Sequence, residues 1–291
     1  MARYRSLRWF ADKAQAKSNE LYYRSPVSKW VTSRQAQVYC VGTAKSGTHS
    51  IASLFSDDLR TFHEADWREV IPLILAADEW GGERSALRHR LVKRDRQFAL
   101  DIDSSQLNYF YLPELLELFP NSKFVLTIRE PYSWLDSLIN HQLARGTPPL
   151  EWRRFRDFRF ARDCAEHPPE EAALKARGLY TLDGYLSYWR RHNQDVIRLV
   201  PPEKLLVVRT DQISGRADDI ARFVGLPQQS TQQSKTAGDK SHTFKALKKF
   251  GVLGELEPEY LARKVRYHCS ELIGEFFPDT LPLRALAEAK V

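Results

Sequence analysis

Residues 37–55 decide the fold, and they read QVYCVGTAKSGTHSIASLF. The run at 37–41 is apolar enough to predict a short buried strand, and Gly42 ends it. Apolar residues return at helical spacing after Thr48, which predicts that a helix begins there. Where a strand passes through a tight loop into a helix, free backbone N–H groups and the positive end of the helix dipole meet. The sequence therefore predicts an anion-binding loop between this strand and this helix.

The residue types in this loop suit a phosphate group. Lys45 supplies a positive charge, Gly47 lets the backbone approach an anion closely, and the hydroxyls of Ser46 and Thr48 are hydrogen-bond donors. The common nucleoside-triphosphate loop has Gly, four residues and then Gly-Lys-Ser or Gly-Lys-Thr, so its lysine follows the second glycine. Here Lys45 precedes Gly47. A tight turn with an incidental lysine is the alternative interpretation.

The rest of the chain alternates strand patterns with helix patterns. Apolar runs predict strands at Phe98–Ile102, Lys123–Ile128 and Leu205–Arg209. Helical spacing predicts helices at 112–119, 132–143, 182–200 and 217–224. This alternation predicts an α/β fold, a parallel β-sheet flanked by helices with right-handed crossovers. Domain boundaries are weak, so residues 1–291 are interpreted as a single domain with an N-terminal extension at about 1–36 and an insertion at about 145–180.

A second polar pair follows the predicted strand at 123–128. Arg129 stands at the carboxyl end of that strand, where open α/β sheets bind ligands, and Ser137 lies eight positions later on the next predicted helix. A guanidinium binds phosphate through two hydrogen bonds, and a hydroxyl adds another donor. Arg129 could instead pair with Glu130 or Asp136, which would make it a structural residue.

The two motifs together resemble those of PAPS-dependent sulfotransferases, whose donor is 3′-phosphoadenosine-5′-phosphosulfate (PAPS). Lys45-Ser46-Gly47-Thr48 is similar to the family's 5′-phosphosulfate loop, and Arg129 and Ser137 have the spacing of its 3′-phosphate site. The resemblance spans about Val38 to Pro227. It implies a P-loop NTPase-like sulfotransferase architecture, PAPS as the sulfuryl donor and adenosine 3′,5′-bisphosphate as the product. It further implies no metal at the transferred group and an acceptor hydroxyl on a small molecule, lipid or carbohydrate.

The resemblance also implies roles for residues outside the two motifs. His49, directly after the loop, is expected to pack against the nucleotide. A late polar segment, Ser234 to Phe244, is similar to the family's basic segment beside the 3′-phosphate. We expect Lys240 in this segment to contribute to the donor site, and the segment to close over the donor.

The acceptor hydroxyl needs a base, which in this family is a histidine or a glutamate at the cleft. His63 and Glu64, which follow the first predicted helix, are the leading candidates, and the sequence leaves the choice between them open. Either could instead be a helix cap or a surface polar group. Asp103 lies near the strand end where the family's cytosolic members carry a catalytic histidine, and it is a secondary candidate.

Composition narrows the class of protein. Lys and Arg outnumber Asp and Glu by 44 to 37, and this formal charge of +7 favours anionic ligands but is too modest to predict nucleic-acid binding. Three widely spaced cysteines indicate neither a disulfide framework nor a zinc site. No apolar run resembles a signal peptide or a membrane span, so we expect a cytoplasmic protein. Most arginines of the insertion are expected to face solvent. A P-loop nucleotide kinase and a non-catalytic nucleotide-binding module are the alternatives, and the oligomeric state is not readable.

Overall fold

A computed structural model describes residues 34–56, 59–79, 84–162, 166–225 and 249–279. Its centre is a five-stranded sheet in which all neighbouring strands are parallel. The strands are β1 (Val38–Cys40), β2 (Thr61–His63), β3 (Ile102–Ser104), β4 (Lys123–Ile128) and β5 (Leu205–Arg209). Their spatial order is β2-β3-β1-β4-β5. The predicted parallel α/β fold is confirmed.

Ten α-helices lie within the described residues and connect or flank these strands. The first five are α1 (Thr48–Leu54), α2 (Trp67–Glu79), α3 (Ser85–Phe98), α4 (Leu112–Leu118) and α5 (Pro131–Ala144). The next five are α6 (Leu150–Phe160), α7 (Ala172–Lys175), α8 (Leu182–Leu199), α9 (Ala217–Val224) and α10 (Pro258–Phe276). None of the helices in the described part of the chain is long and apolar enough to cross a membrane.

Helices cover both faces of the sheet, which explains the continuous apolar sequence of β4. On one face Tyr39 and Phe124 pack with apolar side chains of α2, α3 and α4. On the other face Cys40 and Val125 pack with apolar side chains of α1 and α9. Because successive residues of a strand point to opposite faces, Asp103 lies on the Tyr39 side and Ser104 on the Cys40 side.

The sheet topology places a crevice at the end of β1. β2 and β3 lie on one side of this central strand, and β4 and β5 lie on the other. In open α/β sheets, the point where the strand order changes direction leaves a crevice at the carboxyl ends of the strands, and ligands bind in this crevice. β1 ends at Cys40, so residues 41–48, here called the anion loop, open onto this crevice.

The second predicted strand, Phe98–Ile102, is wrong in position. Phe98 ends helix α3, and the strand itself is Ile102–Ser104. The sequence does not reveal α3 because its buried face includes Arg94, which forms a buried ion pair with Asp103. A charged residue on the inward face interrupts the apolar periodicity that predicts helices. Strand β2 has only three residues, too few to show an alternating pattern.

The insertion at 145–180 contains α6 and α7. Arg153 and Arg154 of α6 are exposed, as expected, whereas Arg159 is buried. The N-terminal extension to residue 33, the polar segment at 234–244 and Lys240 within it lie outside the described residues. The predictions for them therefore stay predictions.

Candidate active site

Side chains from several elements hold the backbone of the anion loop by its carbonyl oxygens. The donor and acceptor pairs are His192 to Val41 (2.7 Å), Trp134 to Ala44 (2.8 Å), Arg129 to Lys45 (3.1 Å), Thr210 to Ser46, and Ser104 to Thr48 (2.6 Å). We call these five donors the loop braces. They come from α8, α5, the residue after β4, the residue after β5, and β3. Since the braces occupy the carbonyl groups, the loop can present N–H groups to a ligand.

Two glycines of the loop are required by its geometry. A Cβ atom on Gly42 would lie 2.7 Å from the carbonyl oxygen of Thr127, so no side chain fits between the loop and β4. Gly47 has φ 107°, a left-handed conformation that favours glycine. Lys45 is also left-handed at φ 68°, which is uncommon for a residue with a side chain. Left-handed residues within a turn gather N–H groups into a concave anion site.

Ser46 stabilises the loop from inside. It is fully buried, and its hydroxyl donates to the carbonyl oxygen of Thr43 at 2.7 Å and lies 2.9 Å from the hydroxyl of Thr127. The structure thus directs the Ser46 hydroxyl into the turn, whereas the sequence suggested an outward donor to phosphate. Its contribution is to the shape of the loop.

Lys45 lies in an electropositive surrounding. Burial, followed by the nearby charges of Arg129 and Arg145, lowers its pKa, and the carboxylate of Glu64 opposes this effect. His141 of α5, which the sequence analysis did not single out, lies in the same positive electrostatic surrounding. Its pKa is lowered to about 3 by burial and by neighbouring cations, among them Arg145 and Lys45. The excess of positive charge around Lys45 favours the binding of an anionic ligand beside the loop.

Arg129 connects the loop to the start of α5. Its guanidinium donates to the Lys45 carbonyl at 3.1 Å and to the Ser133 hydroxyl at 3.2 Å. Glu130 instead caps α5 by accepting from backbone N–H groups, so the structure, in its described residues, gives Arg129 no ion pair with Glu130. The carboxylate of Asp136 accepts from Asn140. Among the described residues neither acid forms a salt bridge with Arg129, but their charges act on it: burial lowers the pKa of Arg129, and the nearby carboxylates of Asp136 and Glu130 oppose this effect.

Ser137 lies one turn after Ser133 on α5 and is half-buried. Residues four apart lie on the same face of a helix, so Ser137 lies on the same face of α5 as Ser133, which accepts a hydrogen bond from Arg129. Ser133 is the partner that the sequence reasoning missed. Its position four residues after Arg129, at the first turn of the helix, is the signal that could have identified it.

His63 is the last residue of β2, and it faces the first turn of α1. Its Nε2 atom lies 3.1 Å from the Thr48 hydroxyl, and its ring makes an edge contact with the exposed ring of His49 at 5.2 Å. Burial lowers the pKa of His63. If His63 is neutral and donates its Nε2 hydrogen to the Thr48 hydroxyl, the hydrogen of that hydroxyl stays available for donation to an anion. The geometry therefore connects His63 to the loop.

Glu64 follows β2 directly and lies at the carboxyl end of the sheet. Its backbone is left-handed at φ 57°, and its N–H donates to the carbonyl of Ser104 at 3.0 Å. Its carboxylate accepts from the amide of Gln106, which in turn accepts from Arg159. A left-handed conformation at a residue other than glycine costs of order 1–3 kcal/mol and recurs at functional sites.

Asp103 lies apart from this group. Its carboxylate forms the buried ion pair with Arg94 on the Tyr39 face of the sheet, whereas Ser104 points to the loop. This pairing gives Asp103 a structural role, so it is not supported as a base. In the described segments, no group of three or more His, Cys, Asp or Glu side chains could hold a metal ion.

The fold and the site together define a parallel α/β protein with a braced loop at its central crevice. Residues 37–230 match the family model described as a sulfotransferase domain, which is more than half of the chain. The chain belongs to this sulfotransferase family. No curated protein matches the sequence. A solved structure, a sulfotransferase from Alicyclobacillus acidocaldarius, is similar with 17% identity and a TM-score of 0.43 over 87% of this chain and 95% of that chain.

Proposed function

We propose that this protein transfers a sulfuryl group from PAPS to a hydroxyl of a small-molecule, lipid or carbohydrate acceptor. The observation that carries the proposal is the anion loop. Five side chains hold its carbonyl oxygens, and Lys45 and Gly47 are both left-handed. This arrangement fits the 5′-phosphosulfate end of the donor.

The residues at the crevice also fit a second phosphate. A guanidinium carries five N–H donors, and Arg129 uses only part of them on Lys45 and Ser133, so it retains donors for an anion. Ser137 lies on the same helix face as Ser133 and supplies a hydroxyl. We assign Arg129 and Ser137 to the 3′-phosphate, and Lys45, Gly47 and Thr48 to the 5′-phosphosulfate. Lys240 and His49 remain expected contributors to the donor site.

Lys45 and Glu64 would carry out the chemistry at the transferred group. PAPS supplies an activated sulfuryl group, and its departure leaves negative charge on the former bridging oxygen. Lys45 would offset this charge from a fixed position, and loss of one such preorganised contact commonly costs about 10²–10³-fold in turnover. Glu64 would accept the proton of the acceptor hydroxyl. We prefer Glu64 to His63 as the base because the Nε2 atom of His63 is engaged with Thr48, whereas the hydrogen bond from Gln106 reaches only the Oε1 atom of the Glu64 carboxylate.

The burial of Ser46 argues against the kinase alternative. A nucleotide kinase needs a hydroxyl beside the loop lysine that reaches magnesium. The hydroxyl of Ser46, which follows Lys45, is fully buried against Thr43 and Thr127. We therefore expect sulfuryl transfer without a requirement for magnesium.

Turnover of labelled PAPS tests the proposal. Purified protein is incubated with ³⁵S-labelled PAPS and EDTA, alone and with panels of phenols, lipid alcohols and saccharides. Transfer of the ³⁵S label to the acceptor or to inorganic sulfate is measured together with the release of adenosine 3′,5′-bisphosphate. We expect slow release to water and faster release with at least one acceptor class. Turnover of ATP with magnesium, together with no turnover of PAPS, would replace this function by the kinase.

A further inference from the structure

A chain of polar side chains connects the candidate base to the insertion. The Nε2 atom of Gln106 donates to the carboxylate of Glu64, and the Oε1 atom of Gln106 accepts from the Arg159 guanidinium. We call these three residues the base relay. Glu64 follows β2, Gln106 begins the short helical turn after β3, and Arg159 lies near the end of α6. The relay therefore brings three distant segments of the sequence together.

The hydrogen-bond donors and acceptors of the relay allow only one orientation of the Gln106 side-chain amide. An ionised carboxylate can only accept hydrogen bonds, and a guanidinium can only donate them. The amide between them must point its nitrogen to Glu64 and its oxygen to Arg159, as it does in the structure. In this arrangement the amide is fixed between the two charged groups, with its N–H donors directed to the Glu64 carboxylate.

Arg159 is held where a cation is costly. The residue is 5% exposed, and its guanidinium carbon lies 4.7 Å from the ring centre of Phe155, 4.7 Å from that of Phe160 and 5.8 Å from that of Tyr188. Burial lowers its pKa. Among the described residues, no carboxylate forms a direct ion pair with it. The Arg159 side chain also forms a hydrogen bond with Tyr188 and feels the charge of Glu64 directly. The hydrogen-bonded path from Arg159 to a carboxylate runs through Gln106 to Glu64.

We propose that Gln106 and Arg159 are positioning residues for Glu64, a role that rests on the proposed function. They hold the carboxylate in one orientation, so that it can take the proton when the acceptor oxygen bonds to sulfur. The proton later leaves Glu64 for solvent. The insertion thereby supplies part of the catalytic apparatus, in addition to any contact that it makes with the acceptor.

The split between turnover and donor affinity distinguishes positioning from packing. A base acts only during reaction, so a misplaced base lowers turnover at saturating donor and leaves donor affinity intact. In Gln106→Met, which keeps the side-chain length but removes the donor, we expect turnover to fall about 10-fold or more, since a hydrogen bond to a charged group is lost. The affinity for adenosine 3′,5′-bisphosphate should stay unchanged.

Substitutions of Arg159 provide the complementary test. Arg159→Met suits the surrounding rings and removes the buried charge, so it should fold at least as well as Arg159→Lys. A packing role predicts that Met retains more turnover than Lys. The relay predicts the reverse order, because only Lys keeps a cationic donor. Arg153→Gln, which changes an exposed arginine of the same helix, is the matched control and should leave turnover and donor affinity unchanged.

The relay can also be detected without the donor. In the NMR spectrum of the unliganded protein, the Gln106 side-chain amide, assigned by its loss in Gln106→Met, should lie downfield because it donates to a carboxylate. It should move upfield in both Glu64→Ala and Arg159→Met. An amide that responds to neither substitution would overturn the relay, as would unchanged turnover in Gln106→Met.

These outcomes separate the inference from the proposed function. If the wild-type protein turns over PAPS, with water or an acceptor, while the relay variants behave like Arg153→Gln, the relay is wrong and the function stands. If the wild-type protein neither binds adenosine 3′,5′-bisphosphate nor turns over PAPS, the function fails and the role of the relay fails with it.

Discussion

The anion loop and the base relay are both built from polar contacts at the carboxyl ends of the strands, but they differ in redundancy. The loop is held by five braces from five parts of the chain. The relay is a single series of two side-chain contacts. Loss of one brace leaves four others, whereas loss of Gln106 separates Glu64 from Arg159. The donor half of the site should therefore tolerate changes in its support better than the acceptor half.

The largest effect is expected at the charged residue that the loop presents. Lys45→Ala should reduce PAPS turnover about 10²–10³-fold, as the loss of one preorganised electrostatic contact commonly does. The fold should survive because the braces use the backbone of this residue, not its side chain. Single-turnover measurements at saturating donor, with circular dichroism as the folding control, test this. Retention of full activity by a folded variant would remove Lys45 from the reaction.

The next effect compares the two candidate bases. Glu64→Gln should lower turnover about 10²-fold and leave donor affinity nearly intact, since a base acts only during reaction. His63→Gln should mainly weaken donor affinity, because His63 contacts Thr48 of the loop. Turnover and nucleotide affinity are measured for both variants. The opposite pattern would make His63 the base and Glu64 a support of the loop.

The difference between the two regions also explains what could be predicted from the sequence. The loop motif is local, and the strand and helix on either side of Lys45 and Gly47 were confirmed. Its braces are distant in sequence, and of the five only Arg129 was singled out by the sequence analysis. The base relay has no local pattern, because 42 residues separate Glu64 from Gln106 and 53 separate Gln106 from Arg159. In the sequence, Arg159 cannot be distinguished from the exposed arginines of α6. Only the folded structure shows that it lies among aromatic rings.

A single brace should matter less than a single relay residue. Thr210→Val keeps the shape of the side chain but removes the hydroxyl that donates to the Ser46 carbonyl. We expect donor affinity to fall by less than about 10-fold, since a neutral hydrogen bond contributes roughly 0.5–1.5 kcal/mol. Calorimetric titration with adenosine 3′,5′-bisphosphate measures this. A loss of donor affinity as large as the 10²–10³-fold loss of turnover expected for Lys45→Ala would refute the redundancy of the braces.

The smallest expected effect concerns stability. Burial lowers the pKa of His192, a brace, to about 3. The unfolded chain binds this proton below about pH 6.5 and the folded chain does not, so stability falls as pH decreases from about 6.5 toward 3. The contribution approaches about 1.4 kcal/mol per pH unit. Urea unfolding between pH 7 and pH 5 should show a shallower pH dependence for His192→Gln. Equal slopes would mean that His192 titrates alike in both states.

The central claim is that the crevice binds a nucleotide with phosphates at both the 5′ and the 3′ positions. Calorimetric affinities of adenosine 3′,5′-bisphosphate and adenosine 5′-phosphate, in the wild type, Arg129→Ala and Ser137→Ala, test it most directly. The account predicts that the bisphosphate binds the wild type at least about 10-fold more tightly, since each charge-assisted hydrogen bond contributes roughly 1.5–3 kcal/mol. Arg129→Ala should lose most of this preference, and Ser137→Ala part of it. Equal affinities in the wild type, or tighter binding of ATP with magnesium, would contradict the account.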